Sequence, residues 1–335
     1  MIIGICGYGF TGSGAVIDLM KEYDDVQVND DFEFTLTYWP DSIEDLEYHL
    51  VLNPERFFSS DMALRRFLSF VNKENISPRG WYKTSTQNQF AQISHDFVRS
   101  IIQLHWNGRW MIDPMMTNEF VRTIKYRLIG RFASKNKRIN TLLDRPMYFS
   151  IEPENFYEAS RKYINDILLA MGNTFEKKIV LNQPFAANNP ETSMKYYDNA
   201  KAIIVDRDPR DIYVLMKKFA DVKWAPMDDV DSFIKYFRQL RLHRSQSQDV
   251  LYLQFEELIY QYDRTVRLIE KFCELNGHTK LKQSLDPQRS IANTQLFNKN
   301  REYDKEIEII ERELHDYLFD FSPYENINTE GTVFL

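Results

Sequence analysis

The chain has 335 residues, of which 43% are apolar, so it can bury a large core in one domain or in a domain with a large insertion. Its formal net charge of −7 argues against general binding to nucleic acid or to anionic membranes. The two cysteines, Cys6 and Cys273, lie far apart and form no metal-ligand pattern, which is typical of buried thiols in a cytoplasmic protein.

The first thirty residues predict a phosphate-binding turn. An apolar run over Ile2–Cys6 predicts a short buried strand, and the apolar periodicity through Ala15, Val16 and Leu19 predicts a helix. The glycine-rich stretch between them brings unpaired N–H groups and the positive end of a helix dipole to one place. The apolar run is too short to cross a bilayer, so we expect no membrane span here.

The glycine spacing leaves several chemistries open. Gly7, Gly9 and Gly12 satisfy the dinucleotide fingerprint G-x-G-x-x-G. Asp30 follows a second predicted strand at Val26–Val28 and stands at the spacing of a ribose-binding acid. One hypothesis is therefore a Rossmann oxidoreductase that uses NAD.

Two further interpretations concern phosphate groups. Gly7 and Gly12 have the gap of an ATP-binding P-loop, but Ser13 occupies the lysine position, which disfavours ATP hydrolysis. Alternatively, Thr11–Gly14 supplies hydroxyls and amides to one phosphate group. A purely structural glycine turn also fits the pattern.

The middle of the chain has a different character. Residues Val26–Tyr38 alternate in a way that predicts one or two strands, with Glu33 as the lone acid between two phenylalanines. Long amphipathic stretches then predict a helical insertion over residues 41–175, on the acceptor side of any active site. Residues 122–145 carry eight basic side chains against one acid, which indicates either a solvated helix face or the mouth of an anion site.

Strand and helix patterns alternate in the last part of the chain. Strands are predicted at Lys178–Leu181, Ala202–Val205 and Val250–Leu253. With the amino-terminal strand they predict an α/β fold, a P-loop-like parallel sheet flanked by helices, built from residues 1–40 and 176–335. Arg207 and Arg210 follow the second of these strands, where they either pair with the flanking aspartates or grip a phosphate.

Three segments in this order resemble the sulfotransferases that use 3′-phosphoadenosine-5′-phosphosulfate (PAPS). They are the turn Thr11–Gly14, the strand and turn Ala202–Tyr213, and the strand and helix start Val250–Leu258. The loop Asp286–Asn293 is similar to a Ser-x-x-Asn segment of bacterial members, so the chain looks like a divergent bacterial-type member. The resemblance covers the first thirty and roughly the last 155 residues, and the middle has no match.

The resemblance implies a set of site residues. Arg207 would bind the 3′-phosphate, with Arg210 and Ser290 nearby, and Ser13 would act in catalysis. The residues around the 5′-phosphate would be Gly9, Phe10, Thr11, Gly12, Ser13, Gly14 and Ala15. Two positions depart from the family: its lysine falls on Phe10 and a serine falls on Leu215. The sequence offers four other cations outside the basic insertion, which are Lys217, Lys218, Arg289 and Lys299.

The resemblance also implies a reaction, the transfer of a sulfuryl group from PAPS to a hydroxyl or amine of a carbohydrate or related small acceptor. Such transfer needs an in-line acceptor, a base and positive charge on the leaving phosphate, and it requires no metal. Glu33 stands at the spacing of the family's base, and burial between two phenylalanines would raise its pKa. A sulfotransferase-like protein that binds the nucleotide without turnover is the remaining alternative.

Overall fold

The computed structural model describes residues 1–54, 57–133, 141–219 and 222–333, and the chain divides into two compact units. The first unit joins Met1–Thr37 to Asn173–Leu335, and the second is Tyr38–Gly172. Three basic residues of the charged middle segment, Lys135, Lys137 and Arg138, lie outside the described residues.

The strands are short, and those of the first unit are mainly apolar. In chain order they are β1 (Ile2–Gly7), β2 (Val26–Asn29), β3 (Leu104–Gly108), β4 (Arg145–Phe149), β5 (Lys178–Asn182), β6 (Ala200–Asp206) and β7 (Val250–Gln254).

The α-helices connect and flank these strands. Those of the described residues are α1 (Ser13–Met20), α2 (Ile43–Glu47), α3 (Phe57–Ile76), α4 (Trp81–Ser85), α5 (Phe90–Ile101), α6 (Glu119–Val121), α7 (Gly130–Ala133), α8 (Phe156–Ala170), α9 (Glu191–Met194), α10 (Pro209–Val214), α11 (Val230–Leu240), α12 (Phe255–Tyr260), α13 (Tyr262–Cys273), α14 (Pro287–Ser290), α15 (Leu296–Lys299) and α16 (Asp304–Glu313). Wider helical turns continue α2, α6 and α10 over Tyr48–Leu52, Arg122–Ile129 and Leu215–Phe219.

The described part of the first unit contains a five-stranded parallel sheet in the order β2–β5–β1–β6–β7. Ile5 of β1 lies opposite Asn182 on one side and Ile203 on the other, so β1 is central. The expected fold class, a parallel α/β sheet flanked by helices, is confirmed. Because parallel strands end at the same edge, the turns after β1 and β6 are neighbours.

Two groups of helices supply the cores of this unit. Apolar residues of α1, α12 and α13, among them Leu19, Leu258 and Ile269, pack with Ile3 and Ile5 of β1. A second cluster joins α10, α11 and α16 through fully or nearly fully buried side chains such as Tyr213 and Phe233. As predicted, the thiols of Cys6 and Cys273 are buried, and both are free.

The second unit is mainly helical. Phe67 of α3, Phe97 of α5 and Tyr163 of α8 form a buried aromatic cluster, with ring centroids 4.6 to 6.1 Å apart. Arg145 pairs with Asp61 at 2.9 Å and with Asp113 at 2.8 Å, and both aspartates are buried. Arg65 lies 3.6 Å from Asp113, so two guanidinium groups compensate the two buried carboxylates.

The structure adds detail to two predictions about local structure. The middle of the chain is mainly helical, as expected, but it also contains β3 and β4, which form an antiparallel pair. Their pairing joins segments about forty residues apart, which local periodicity does not reveal. Residues Val26–Tyr38 hold only the strand β2, because after Asn29 the chain turns and Phe34 N–H donates to the Asn182 carbonyl at 2.7 Å. Across the described ranges, the longest apolar helical stretches fall short of what a bilayer crossing needs.

Candidate functional site

The turn after β1 is held in a left-handed backbone conformation at three positions. The φ angles are +90° at Gly9, +57° at Phe10 and +85° at Gly12. Gly12 caps α1, and the Ala15 N–H donates to the Gly12 carbonyl at 3.1 Å. The first turn of α1 carries no acidic side chain. Its amide groups and helix dipole therefore favour an anion at residues 12–15.

A cavity of about 650 Å³ opens beside this turn. Three chain segments form its walls. The first contributes Phe10, Gly12, Ser13, Gly14 and Ala15, the second Arg207 and Leu215, and the third Lys282, Gln283, Ser284, Leu285, Asp286, Arg289, Ser290 and Asn293. Phe255 and Asp18 also line it. The volume lies within the range of small-molecule pockets.

The structure thus brings together many of the sequence-predicted site residues. Gly12, Ser13, Gly14 and Ala15 share this cavity with Phe10, Arg207 and Ser290. Gly9, Thr11, Arg210 and Glu33 are not among the lining residues. Gly9 lies beneath the Trp224 ring, and the Thr11 hydroxyl is buried without a hydrogen-bond partner among the described residues.

Arg207 is almost fully buried, with 3% of its surface exposed, and ties three segments together. Its Nη1 donates to the Phe10 carbonyl at 3.4 Å, and its Nη2 donates to the Asn293 carbonyl. The guanidinium lies 4.9 Å from the centroid of the Phe255 ring and 3.8 Å from Asp211. Within the described chain, Arg207 Nε has no hydrogen-bond partner. Arg207 therefore places a positive charge in the cavity wall.

Arg210 adopts the first of its two predicted roles. It pairs with Asp208 at 2.7 Å and with Glu311 at 2.8 Å, and its guanidinium stacks 4.0 Å from the Phe297 ring centroid. These contacts satisfy most of its donors within the protein. The structure places Arg210 behind the wall that Arg207 forms.

Glu33 does not have the environment expected for it. The side chain is exposed, so burial between two phenylalanines does not occur and the premise of desolvation was wrong. The flanking rings of Phe32 and Phe34 contact each other at 6.3 Å, centroid to centroid. Alternation along the sequence did not show that only Phe34 points into the core.

One wall of the cavity, residues 282–285, was not predicted. It is fastened by Glu22, a fully buried carboxylate at the end of α1. Glu22 accepts hydrogen bonds from the backbone N–H groups of Lys282 at 3.0 Å and of Ser284 and Leu285 at 2.9 Å, and it bonds His278 Nε2 at 2.7 Å. Burial raises the pKa of Glu22, but these hydrogen bonds outweigh burial and hold the pKa below its usual value.

A buried acidic group lies behind Arg207. Glu256 is fully buried and accepts the Asp208 N–H at 3.1 Å. Burial raises the pKa of Glu256 to about 8, and the charge of Asp208 acts in the same direction. Glu256 is therefore largely protonated at neutral pH. Asp211 accepts backbone bonds from Gln295 and Leu296 at 2.8 and 2.6 Å.

The four cations proposed to replace the missing family lysine differ in whether they line the cavity. Of the four cations proposed from the sequence, Arg289 lines the cavity. Lys217 and Lys299 donate to backbone carbonyls, and Lys218 pairs with Glu302 at 2.5 Å. Lys282, which the sequence did not single out, also lines the cavity.

The strand order bears on the dinucleotide fingerprint. In a Rossmann fold the ribose-binding acid follows a strand directly beside the glycine-rich strand. Here β5 lies between β1 and β2. Asp30, at the end of β2, pairs with Lys21 at 2.7 Å. The geometry that an NAD site requires is therefore missing between Asp30 and the turn. Among the described residues, no group of three or more His, Cys, Asp or Glu side chains is placed to hold a metal ion.

The fold and the cavity together define an α/β protein whose glycine-rich turn opens into a cavity at the carboxyl ends of the strands of a parallel sheet. The chain is similar to the sulfotransferase domain of the olefin synthase from Synechococcus PCC 7002, at 10% identity over 85% of this chain and 75% of that one, with a TM-score of 0.37. It is also similar to the sulfotransferase STF9 from Mycobacterium avium, at 12% identity over 99% of this chain and 78% of that one, with a TM-score of 0.34. No family model and no curated protein matches the chain.

Proposed function

We propose that the protein is a sulfotransferase that moves a sulfuryl group from PAPS to a hydroxyl or amine of a carbohydrate or related small acceptor. One observation carries the proposal. The amide turn at residues 12–15 and Arg207, which follow neighbouring strands, line one cavity together with Arg289 and Ser290. A nucleotide with phosphate groups at both ends of its ribose matches two such groups of donors.

Bound PAPS would supply a sulfuryl group whose bond to the 5′-phosphate breaks as the acceptor oxygen or nitrogen bonds to sulfur. The amides at the start of α1 stabilise the negative charge that remains on the phosphate. The Ser13 hydroxyl lines the cavity beside these amides, and it accepts a hydrogen bond from Gln183 at 3.3 Å. Gln183 in turn accepts the Gly7 N–H at 3.1 Å, so β1 and β5 both position Ser13.

Besides Arg207, the cavity is lined by two cations that could supply the positive charge of the family lysine. Arg289 and Lys282 both line it, whereas Phe10 occupies the lysine position. We propose that Arg289 and Lys282 hold the phosphate groups of the donor. Leu215 gives the wall an apolar side chain at the position where the family has serine.

Thermal shift and equilibrium unfolding test the donor. Adenosine 3′,5′-bisphosphate, the product of PAPS after transfer, should stabilise the full chain more than NADH or ATP does. At one hundred times its dissociation constant the expected gain is about 2.7 kcal/mol. Preferential stabilisation by NADH would overturn the proposal. Stabilisation by the bisphosphate without transfer from labelled PAPS to a broad acceptor panel would indicate a protein that binds the nucleotide without turnover.

Glu33 remains the proposed base for the acceptor proton. Its exposed position after β2 leaves it open to solvent and to an incoming acceptor. Glu33→Gln should lower turnover while leaving the affinity for the bisphosphate unchanged, because the residue does not line the cavity. Asp31→Asn, an exposed acid two positions away, is the matched control. Turnover equal in wild type and Glu33→Gln would assign the base to another group.

A further inference from the structure

An exposed tryptophan lies over the phosphate-binding turn. Trp224 has 58% of its surface exposed, although the residues around it are anchored. Val222, Ala225 and Met227 are buried in the core cluster of α10 and α11, and the Val222 N–H donates to the Met216 carbonyl at 3.3 Å. The side chain of Trp224 is therefore held outward by a fixed segment. An aromatic side chain held in this way is available to a ligand at no cost in ordering the segment that carries it.

Trp224 contacts the turn through both Gly9 and Phe10. Its ring is parallel to that of Phe10, with an interplanar angle of 4° and centroids 6.1 Å apart. A Cβ on Gly9 would lie 2.5 Å from Trp224 Cη2, so this backbone position leaves room for the indole only as glycine. Phe10 has a φ of +57°, which is rare for a bulky residue and which sets the direction in which its side chain leaves the backbone.

The two rings adjoin the place where transfer would occur. Phe10 lines the cavity, and the next cavity residues along the chain are Gly12 and Ser13 at the start of α1. Trp224 is not among the cavity residues, so it extends the aromatic surface beyond the cavity. A group that lies on Trp224 is therefore next to the anion-binding turn without occupying the donor cavity.

The chemistry of the rings selects the ligand. The face of an aromatic ring is electron-rich, so it attracts apolar C–H groups and cations and disfavours anions. Phe10 brings an uncharged ring, and no positive charge, to the side of the cavity that adjoins Trp224. We propose that Phe10 and Trp224 form an acceptor platform, which binds a neutral hydroxyl compound through a flat apolar face, either a phenol ring or the C–H face of a pyranoside. This proposal rests on the proposed function for its location beside the donor.

Direct binding tests the platform. Naphthol, methyl β-glucopyranoside and the anion naphthoate are titrated by calorimetry into the full chain, with and without adenosine 3′,5′-bisphosphate. The first two arms distinguish a phenol from a sugar acceptor. We expect at least one neutral probe to bind, and naphthoate to bind at least tenfold more weakly than naphthol. Trp224→Ala should weaken the neutral probe about tenfold, as a lost stacking partner does.

Three controls make the result specific. Trp224→Phe should keep the affinity within about threefold of wild type because a stacking face remains. Trp81→Ala, which removes another exposed tryptophan, should change nothing. Trp224→Ala should bind the bisphosphate as wild type does, since Trp224 does not line the cavity. Equal binding of the neutral probe to wild type and Trp224→Ala, or no binding of either neutral probe to wild type, would overturn the platform. Failure of the bisphosphate to bind would instead refute the proposed donor.

Discussion

Replacement of Gly12 by alanine probes the turn that the whole site depends on. Gly12 has a φ of +85°, a conformation that costs a residue with a Cβ about 1 to 2 kcal/mol. The new Cβ would also lie within 3.0 Å of three carbons of the Phe255 ring, which is buried. Overpacking of this kind costs about 1 to 3 kcal/mol. The sum is a loss of about 2 to 5 kcal/mol in the free energy of unfolding.

The same substitution two residues later is the control. Gly14 lies in α1, and a Cβ there would meet nothing within 4 Å. Gly14→Ala should therefore leave the free energy of unfolding unchanged or raise it by about 0.5 to 1 kcal/mol. Urea unfolding followed by circular dichroism gives both values, with equal m-values required for the comparison.

Ligand binding extends this comparison. A Phe255 ring displaced by Gly12→Ala carries the stacked guanidinium of Arg207 with it, so the variant should also lose affinity for adenosine 3′,5′-bisphosphate. If Gly12→Ala and Gly14→Ala unfold within 0.5 kcal/mol of each other, or if Gly12→Ala binds the bisphosphate as wild type does, the account of the turn is wrong.

Three further outcomes follow from the buried charges. Glu22→Gln should weaken bisphosphate binding by at least tenfold, because the side-chain NH2 of glutamine would face the Lys282 N–H, which now donates a hydrogen bond to the Glu22 carboxylate. The control for calorimetry is Asp24→Asn, which affects only the hydrogen bond from Thr279. Arg207→Ala should lower bisphosphate affinity by about one hundredfold and also destabilise the fold, since Asp211 loses its positive neighbour. Arg289 is exposed, so Arg289→Ala should lower the affinity and leave the free energy of unfolding unchanged. Because the pKa of Glu256 is raised to about 8, the folded state keeps a proton that the unfolded state releases near pH 4.5, so stability should fall as pH rises from 6 to 8. Glu256→Gln should remove that slope in urea unfolding, and an unchanged slope would assign it to another group.

Local sequence patterns predicted the turns of the site, because the residue types that the backbone needs there are also the ones that the chemistry needs. The turn after β1 and the turn after β6 were both predicted, since each places glycine, proline or aspartate where a strand enters a helix. Asp208 caps α10 by accepting the Arg210 N–H at 2.9 Å, and Pro209 occupies the first turn, as the sequence indicated.

Contacts between segments that lie far apart in the sequence could not be predicted from local patterns. The wall at residues 282–285 depends on Glu22, which lies about 260 positions earlier and belongs to no motif. The choice between the two roles of Arg210 was decided by Phe297 and Glu311, which local sequence does not bring near it. The position of β5 between β1 and β2 likewise follows from pairing across the whole insertion.

That position of β5 also affects how the molecule is made. About 150 residues separate the end of β2 from the start of β5, so at 5 to 20 residues per second β2 waits roughly 8 to 30 s on the ribosome for its neighbour in the sheet. Closing so long a segment is nearly insensitive to its length, because each doubling costs only about 0.6 kcal/mol. A change in the length of the inserted unit should therefore cost the sheet little, because the turns after β1 and β6 are both encoded outside that unit.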